Sequence, residues 1–175
     1  MPMVTAPTIT FRRVTSSDLP ILTQWISSPH WQKWWGPTEP EIDHIRDMIE
    51  GRDSTRPFIF ELDGIPTGYI QAWDIGPHQT EQWVKDNPWL LDLPSDAVGV
   101  DLSIGPEDKL SQGVGSTVLK IFAKSLASDG HRTIIIDPDP DNFRAVRAYT
   151  KAGFRPVPHL EGKTVGVLIM QFQTD

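Results

Sequence analysis

The chain has 175 residues, enough for one domain with a sizeable core, and its 16 Lys+Arg against 23 Asp+Glu leave a formal net charge of −7. That balance argues against a nucleic-acid binder, which needs a basic face for phosphates, and suits a cationic ligand. There is no cysteine, which removes disulfides, thiolate metal sites and a cysteine nucleophile together.

No apolar run approaches the roughly 18 residues of a membrane span. The N-terminal MPMVTAPTITFRR has neither the basic nor the apolar region of a secretion signal. A cytoplasmic protein with a single domain over residues 1–175 is therefore expected, with no membrane partner.

In chain order, Thr8–Val14 alternates as a strand, with Ile9 and Phe11 on one side. Ser16 or Ser17 then starts a short helix with Leu19, Leu22, Trp25 and Ile26 on its buried stripe, and Pro29 ends it. A second helix is expected from Glu39 to Glu50, with Ile42, Ile45 and Ile49 facing inward. Pro57–Leu62, Asp63-Gly64 and Ile65–Trp73 form a hairpin, because Asp-Gly supplies the positive φ angles of a tight turn. Residues 76–96 carry no sustained period and read as an insertion with one short helix.

Ala97–Ile104 is a strand, and Gln112-Gly113-Val114-Gly115 opens a helix to about Ser128 with Val118, Leu119, Phe122 and Leu126 buried. Thr133–Asp137 is β-branched without a polar break, as in a strand covered on both faces. Asn142 caps a helix to about Ala152, which Gly153 terminates, and Phe154–Val157 and Val165–Phe172 are the last strands. The last of these is available to a partner's sheet, in a monomer or a homodimer.

Seven tryptophans and 16 prolines stand out. Trp25 lies on a helix stripe and belongs to the core. Several tryptophans sit in polar loop sequence, and Trp34, Trp35, Trp73 and Trp89 are candidate walls of an aromatic pocket, where a ring can lie on a sugar or under an ammonium. The five histidines show no ligand spacing, and each is expected at the surface or in a cap. Asp137, Asp139 and Asp141 imitate the start of a calcium loop, but Ala148 stands where its last ligand would be and Pro138 and Pro140 stiffen it. No metal site is expected.

The glycine turn at Gly113 and Gly115 lets several N–H groups point outward at a helix N-terminus, a geometry that binds pyrophosphate without a basic side chain. It has neither the Gly-Lys-Ser/Thr of a P-loop nor the third glycine of a dinucleotide fingerprint. Downstream, Asn142, Ala145, Tyr149, Lys151, Gly153 and Phe154 complete the pattern N-x-x-A-x-x-x-Y-x-K-x-G-F.

Together these segments resemble the GNAT superfamily of N-acetyltransferases, whose Gln/Arg-x-x-Gly-x-Gly/Ala turn wraps the pyrophosphate of acetyl-CoA. Leu110 departs from that pattern at its first position. Trp34-Trp35-Gly36, Pro66-Thr67-Gly68-Tyr69-Ile70-Gln71, Gly99-Val100-Asp101 and the run from Asp137 to Phe154 resemble the aminoglycoside 6′-N-acetyltransferases within it. Siderophore lysine N-acyltransferases and ribosomal-protein acetyltransferases look similar over the same segments.

The resemblance implies an α/β (α+β) fold: a mixed, mostly antiparallel sheet, splayed between its fourth and fifth strands and flanked by helices. Acetyl-CoA is expected in the gap, held by Gln112, Gly113, Val114, Gly115, Ser116, Asn142, Ala145 and Lys151, with backbone N–H groups of Leu102, Ser103 and Ile104 on the pantetheine and the thioester carbonyl. An amine must lose a proton before it attacks a thioester, and the oxyanion that forms must be stabilised. Asp101 is expected to be the base or to orient the amine, and Tyr149 to protonate the leaving thiolate. Trp35, Gln71, Trp73, Trp89, Asp101 and Asp137 are the expected contacts to a small polycationic amine. The alternatives are acylation of another amine, on a siderophore or a protein N-terminus, and a silent CoA-binding domain.

Overall fold

In the computed structural model, which describes residues 6–174, side-chain alternation and turn chemistry set the framework. β1 (Ile9–Arg13) leads through a 3-10 turn into α1 (Leu19–Ile26), α2 (Pro29–Gln32) and α3 (Thr38–Ile49). β2 (Arg56–Leu62) and β3 (Ile65–Asp74) form the hairpin, whose turn residues Asp63 and Gly64 both take positive φ, 51° and 81°. α4 (Glu81–Val84) lies in the insertion, followed by β4 (Val98–Ile104), α5 (Val114–Ser128), β5 (Ile134–Ile136), α6 (Phe143–Lys151), β6 (Phe154–Pro156) and β7 (Met170–Phe172).

The seven strands make one sheet in the order β1-β2-β3-β4-β5-β7-β6, antiparallel throughout except for the parallel pair β4–β5. Both faces are covered. Consecutive strand residues go to opposite cores: Phe60 and Ile70 pack with Val118, Leu119 and Phe122 of α5, while Ile59 and Tyr69 pack with Leu22, Ile26, Ile42 and Ile45 of the N-terminal helices. A third cluster joins Trp89, Leu90 and Leu93 of the insertion to Ile75, Ile135 and Leu160. Each such large apolar side chain contributes roughly 1.5–3 kcal/mol on burial.

The β4–β5 ladder is short. It pairs Val98 with Ile134, Gly99 with Ile135 and Val100 with Ile136, and β4 then runs on to Ile104 alone on that edge. Continuing the register would set Asp101 opposite Asp137. Two carboxylates facing each other weaken a ladder, and Pro138 has no N–H to extend it. The strands part at this point.

Four local expectations change. Pro29 ends α1 and also starts α2, where its missing N–H costs nothing because the first N–H groups of a helix are unpaired anyway. In α3 it is Met48, rather than Ile49, that is buried with Ile42 and Ile45. The insertion holds α4 and two 3-10 turns, Gly76–His78 and Pro88–Asp92, in place of one helix. The final strand pairs only over Met170–Phe172, because Gly166 at φ 77° turns the chain out of extended geometry. β7 is paired on both sides by β5 and β6, so it offers no edge to a partner.

Candidate active site

The parting of β4 and β5 opens a cleft of 1110 Å³, and the acidic residues of the junction line it. Asp101 lies directly opposite Gln71 in the β3–β4 register, and Gln71 Nε2 donates to Asp101 Oδ2 at 2.9 Å. Tyr69, two residues back on the same face of β3, donates through its hydroxyl to Gln71 Oε1 at 2.6 Å. Asp101 and Asp137 face each other across the split and perturb each other's ionisation, with part of each side chain open to the cleft.

Two carboxylates this close share one proton. Burial, then the charge of Asp101, pushes Asp137 well above the usual carboxylate range. Burial raises Asp101 as well, against the hydrogen bonds from Gln71 and Asp137 that favour its anion. The pair therefore holds a proton more tightly than separate carboxylates would, and the hydrogen bond from Gln71 favours the anion on Asp101. Tyr149 on α6 is raised above the ordinary tyrosine value, first by burial and then by these two carboxylates, so its hydroxyl stays a neutral donor.

A second, smaller recess of 240 Å³ meets the cleft at Gln71, Asp101, Asp137 and His44. Its walls include Trp73, Trp83, Trp89 and His78. The His78 ring lies between those of Trp73 and Trp83, 5.0 Å from each. Trp73 lies over Gly99, where an added Cβ would fall 2.2 Å from the indole, so only glycine fits opposite it. On the other side, Trp35 lines the cleft and packs against Trp31 and Tyr69 with ring centres 4.9 and 6.1 Å away. Trp34 is more exposed, with Lys33 above its ring at 5.2 Å. Trp25 is core, at 6% exposure.

The cofactor-type residues divide. Leu102, Ser103, Ile104, Gly115, Asn142 and Ala145 line the cleft, together with Leu110 and Ser111. Gly113 caps α5 at φ 78°, a left-handed conformation that carries a large penalty for a side chain, and Ser111 also has positive φ, 60°. No side chain caps α5, so its first N–H groups are free to face an anion. Ser116 and Thr117 bond the Gly113 carbonyl and brace the turn. Asn142 caps α6 by accepting from Ala145 N at 3.2 Å. Gln112, Gly113, Val114, Ser116 and Lys151 do not line the cleft: Gln112 donates to the Asp108 carbonyl, Ser116 is buried, and Lys151 is exposed in the last turn of α6.

Four further residues shape the site without a sequence signal. Glu41 of α3 reaches the cleft, raised by burial and by Asp101, and its carboxylate fills the space where a Cβ on Gly36 would lie 2.7 Å away. His44, one turn on, lines both cavities and pairs with Asp53 at 2.9 Å. Trp31 Nε1 and His30 Nε2 both donate to the Ile104 carbonyl, at 3.0 and 2.9 Å, and anchor the free end of β4. The contacts of Trp31 and His30 with Ile104, and of Glu41 with Asp101, join residues some 60–75 positions apart in the chain, beyond any local pattern. Two of the histidine expectations change here: His30 and His78 are partly buried in the cavity walls, whereas His44 lines both cavities from an exposed position. Among the described residues no group of three or more His, Asp or Glu is placed to hold a metal ion, and no helix is long and apolar enough to cross a membrane.

The arrangement joins a groove for an elongated, phosphate-bearing ligand to an acidic, aromatic-walled recess for a cation. The family profile described as acetyltransferase (GNAT) domain matches residues 14–161. Aminoglycoside N(6′)-acetyltransferase type 1 of Klebsiella pneumoniae is 29% identical over 153 residues, covering 83% of this chain and 73% of the relative. Among solved structures, AAC(6′)-Ib in complex with paromomycin and acetyl-CoA matches with a TM-score of 0.77 at 26% identity, over 95% of this chain and 93% of that one. The same enzyme with coenzyme A and kanamycin matches with a TM-score of 0.76 at 26% identity, over 95% of each chain.

Proposed function

The chain belongs to the GNAT acetyltransferase family, and from that premise we propose that it transfers the acetyl group of acetyl-CoA to the 6′-amine of aminoglycosides, directly, within a ternary complex. The observation that carries this reading is the position of the Asp101–Asp137 pair. It stands where the cofactor groove meets the aromatic recess, so a cation held by it lies beside the free edge of β4.

The cleft suits acetyl-CoA. Its residues present the free edge of β4 to the pantetheine arm and the uncapped start of α5 to the pyrophosphate. Once bound there, acetyl-CoA supplies an electrophilic thioester carbonyl and a thiolate leaving group. Backbone N–H groups of Leu102–Ile104 orient the arm and stabilise the developing oxyanion, on a strand end anchored by Trp31 and His30.

Asp101 holds the ammonium and accepts its first proton, for which its raised value makes it better matched than an ordinary carboxylate. Glu41 and the charge shared by the Asp101–Asp137 pair make a negative field suited to a polycation. Tyr149 delivers a proton to the departing sulfur and regains one from the amine nitrogen as the amide forms. The balance is one proton released to water for each ammonium acetylated. Trp35, Gln71, Trp73 and Trp89 bound the sugar rings. The product has one charge fewer, which weakens binding to anionic RNA and accounts for resistance. The protein acts in the cytoplasm, where acetyl-CoA is found.

Free-thiol release from acetyl-CoA, followed with an aminoglycoside bearing a 6′-amine and its 6′-hydroxyl analogue, tests this. Turnover with the amine alone is expected. Turnover with neither, while acetyl-CoA still raises the melting temperature, would transfer the same machinery to another amine, and turnover with both would refute the regiochemistry.

A further inference from the structure

We propose that Tyr69 is a positioning residue that decides which junction carboxylate carries the charge: its hydroxyl fixes the amide of Gln71, and Gln71 in turn holds Asp101 as the anion. The proposal rests on the reading of Asp101 as the group that receives the amine.

Tyr69 is completely buried, at 0% exposure, and lies on the same face of β3 as Gln71. Its hydroxyl has two neighbours able to accept a hydrogen bond, Gln71 Oε1 at 2.6 Å and the much weaker acceptor Met48 Sδ at 3.5 Å. A hydroxyl has one proton to give, and the short contact shows where it goes. Burial above all, with the charges of Asp101, Glu41 and Asp53, keeps this phenol neutral far beyond the ordinary tyrosine range, so it remains a donor at every working pH.

The amide of Gln71 follows from that. With Oε1 turned to Tyr69, the NH2 group faces Asp101 Oδ2 at 2.9 Å. Turned over, the amide would set its oxygen against the carboxylate, a repulsion relieved only when Asp101 is protonated. Amide orientation and the charge of Asp101 are thus one coupled state. Asp137 has no equivalent side-chain amide, so it keeps the shared proton and donates it to Asp101. The effect is spatial: the negative charge sits on β4 beside the strand edge used by the acyl donor, and not on the far side of the split.

The other titratable groups around Asp101 are Glu41 and His44 on α3, Asp53 behind His44, Tyr149 on α6 and His78 across the recess. No hydrogen bond joins any of them to the Gln71 amide. A Tyr69→Phe substitution leaves all of them in place and removes one oxygen, so its effect reports the lock on Gln71.

The experiment is a site-resolved carbon-13 NMR titration of Asp101 and Asp137 in wild-type protein and in Tyr69→Phe, without ligands. The Asp101 midpoint is expected to rise by about one pH unit, the size of one lost hydrogen bond to a charged group, and that of Asp137 to fall. Unmoved midpoints would overturn the proposal. In the same variant kcat/KM for the amine should fall by up to about tenfold at pH below the Asp101 midpoint and recover above it, with acetyl-CoA affinity unchanged. A loss that is equal at all pH values and extends to acetyl-CoA affinity would mark Tyr69 as merely structural. The titration needs no turnover, so failure of the aminoglycoside reading and failure of this proposal are separable. If Tyr69→Phe does not fold, wild-type protein still decides the matter: the Tyr69 hydroxyl proton should be slowly exchanging, with a nuclear Overhauser contact to the Gln71 side chain, and its absence would overturn the lock.

Discussion

Asp101 and Asp137 occupy the first residue pair past the last rung of a parallel ladder, and this placement governs their chemistry. Because the folded protein raises Asp137 above its unfolded value, the native state binds that proton more tightly than the unfolded chain does. Stability on this account falls as pH rises from the unfolded value near 3.9 towards the folded one. Asp137→Asn should therefore melt higher than wild type at pH 7 and no differently near pH 3, as thermal scans at the two pH values would show, and turnover should drop. Tyr149→Phe should lower kcat by about 100-fold or more, the usual contribution of a general acid, with little change in acetyl-CoA affinity. A loss of less than a few-fold would remove Tyr149 from the mechanism. Asp101, Asp137 and Tyr149 were legible because they fall inside short motifs that also mark strand and helix ends. Glu41, His44 and the orientation of Gln71 were not, because the first two depend on how α3 packs on the sheet and the third on the hydrogen bonds to Tyr69 and Asp101.

At the scale of elements, glycines carry specific steric duties. Gly99→Ala would drive a Cβ into the Trp73 indole, and overpacking of this kind costs about 1–3 kcal/mol, measurable by urea unfolding. Asn142→Ala removes the cap on α6 and should cost about 1 kcal/mol in the same assay. The strands, the hairpin turn and the long helix α5 were readable from period and turn chemistry because each repeats a pattern for several residues. The insertion was not. Its one-turn helices are too short to show a period, and they persist because Trp89, Leu90 and Leu93 bury themselves against Ile135 and Leu160, residues far along the chain. Val165–Phe172 looked like a full strand because its apolar residues suit one, yet Gly166 takes a positive φ that ends the ladder.

The whole molecule is a GNAT-fold sheet whose two parts meet through three residue pairs and then diverge. A ligand that fills the divergence ties both parts together and stabilises the native state by mass action. Acetyl-CoA at 100 times its Kd should add about 2.7 kcal/mol to unfolding stability, seen as a rise in Tm. A polycation in the recess should bind more weakly as pH falls, since protonation of Asp101 removes the charge that holds it, and more weakly in high salt. The sheet order and the splay were foreseeable only through the family resemblance; composition showed the acidic balance and not where it is concentrated.

The most direct test is Asp101→Asn, with the acetyl-CoA Kd and kcat for a 6′-amine aminoglycoside measured on the same preparation. The account predicts an unchanged Kd and a kcat reduced by about 100-fold or more. Full turnover at normal acetyl-CoA affinity would contradict it.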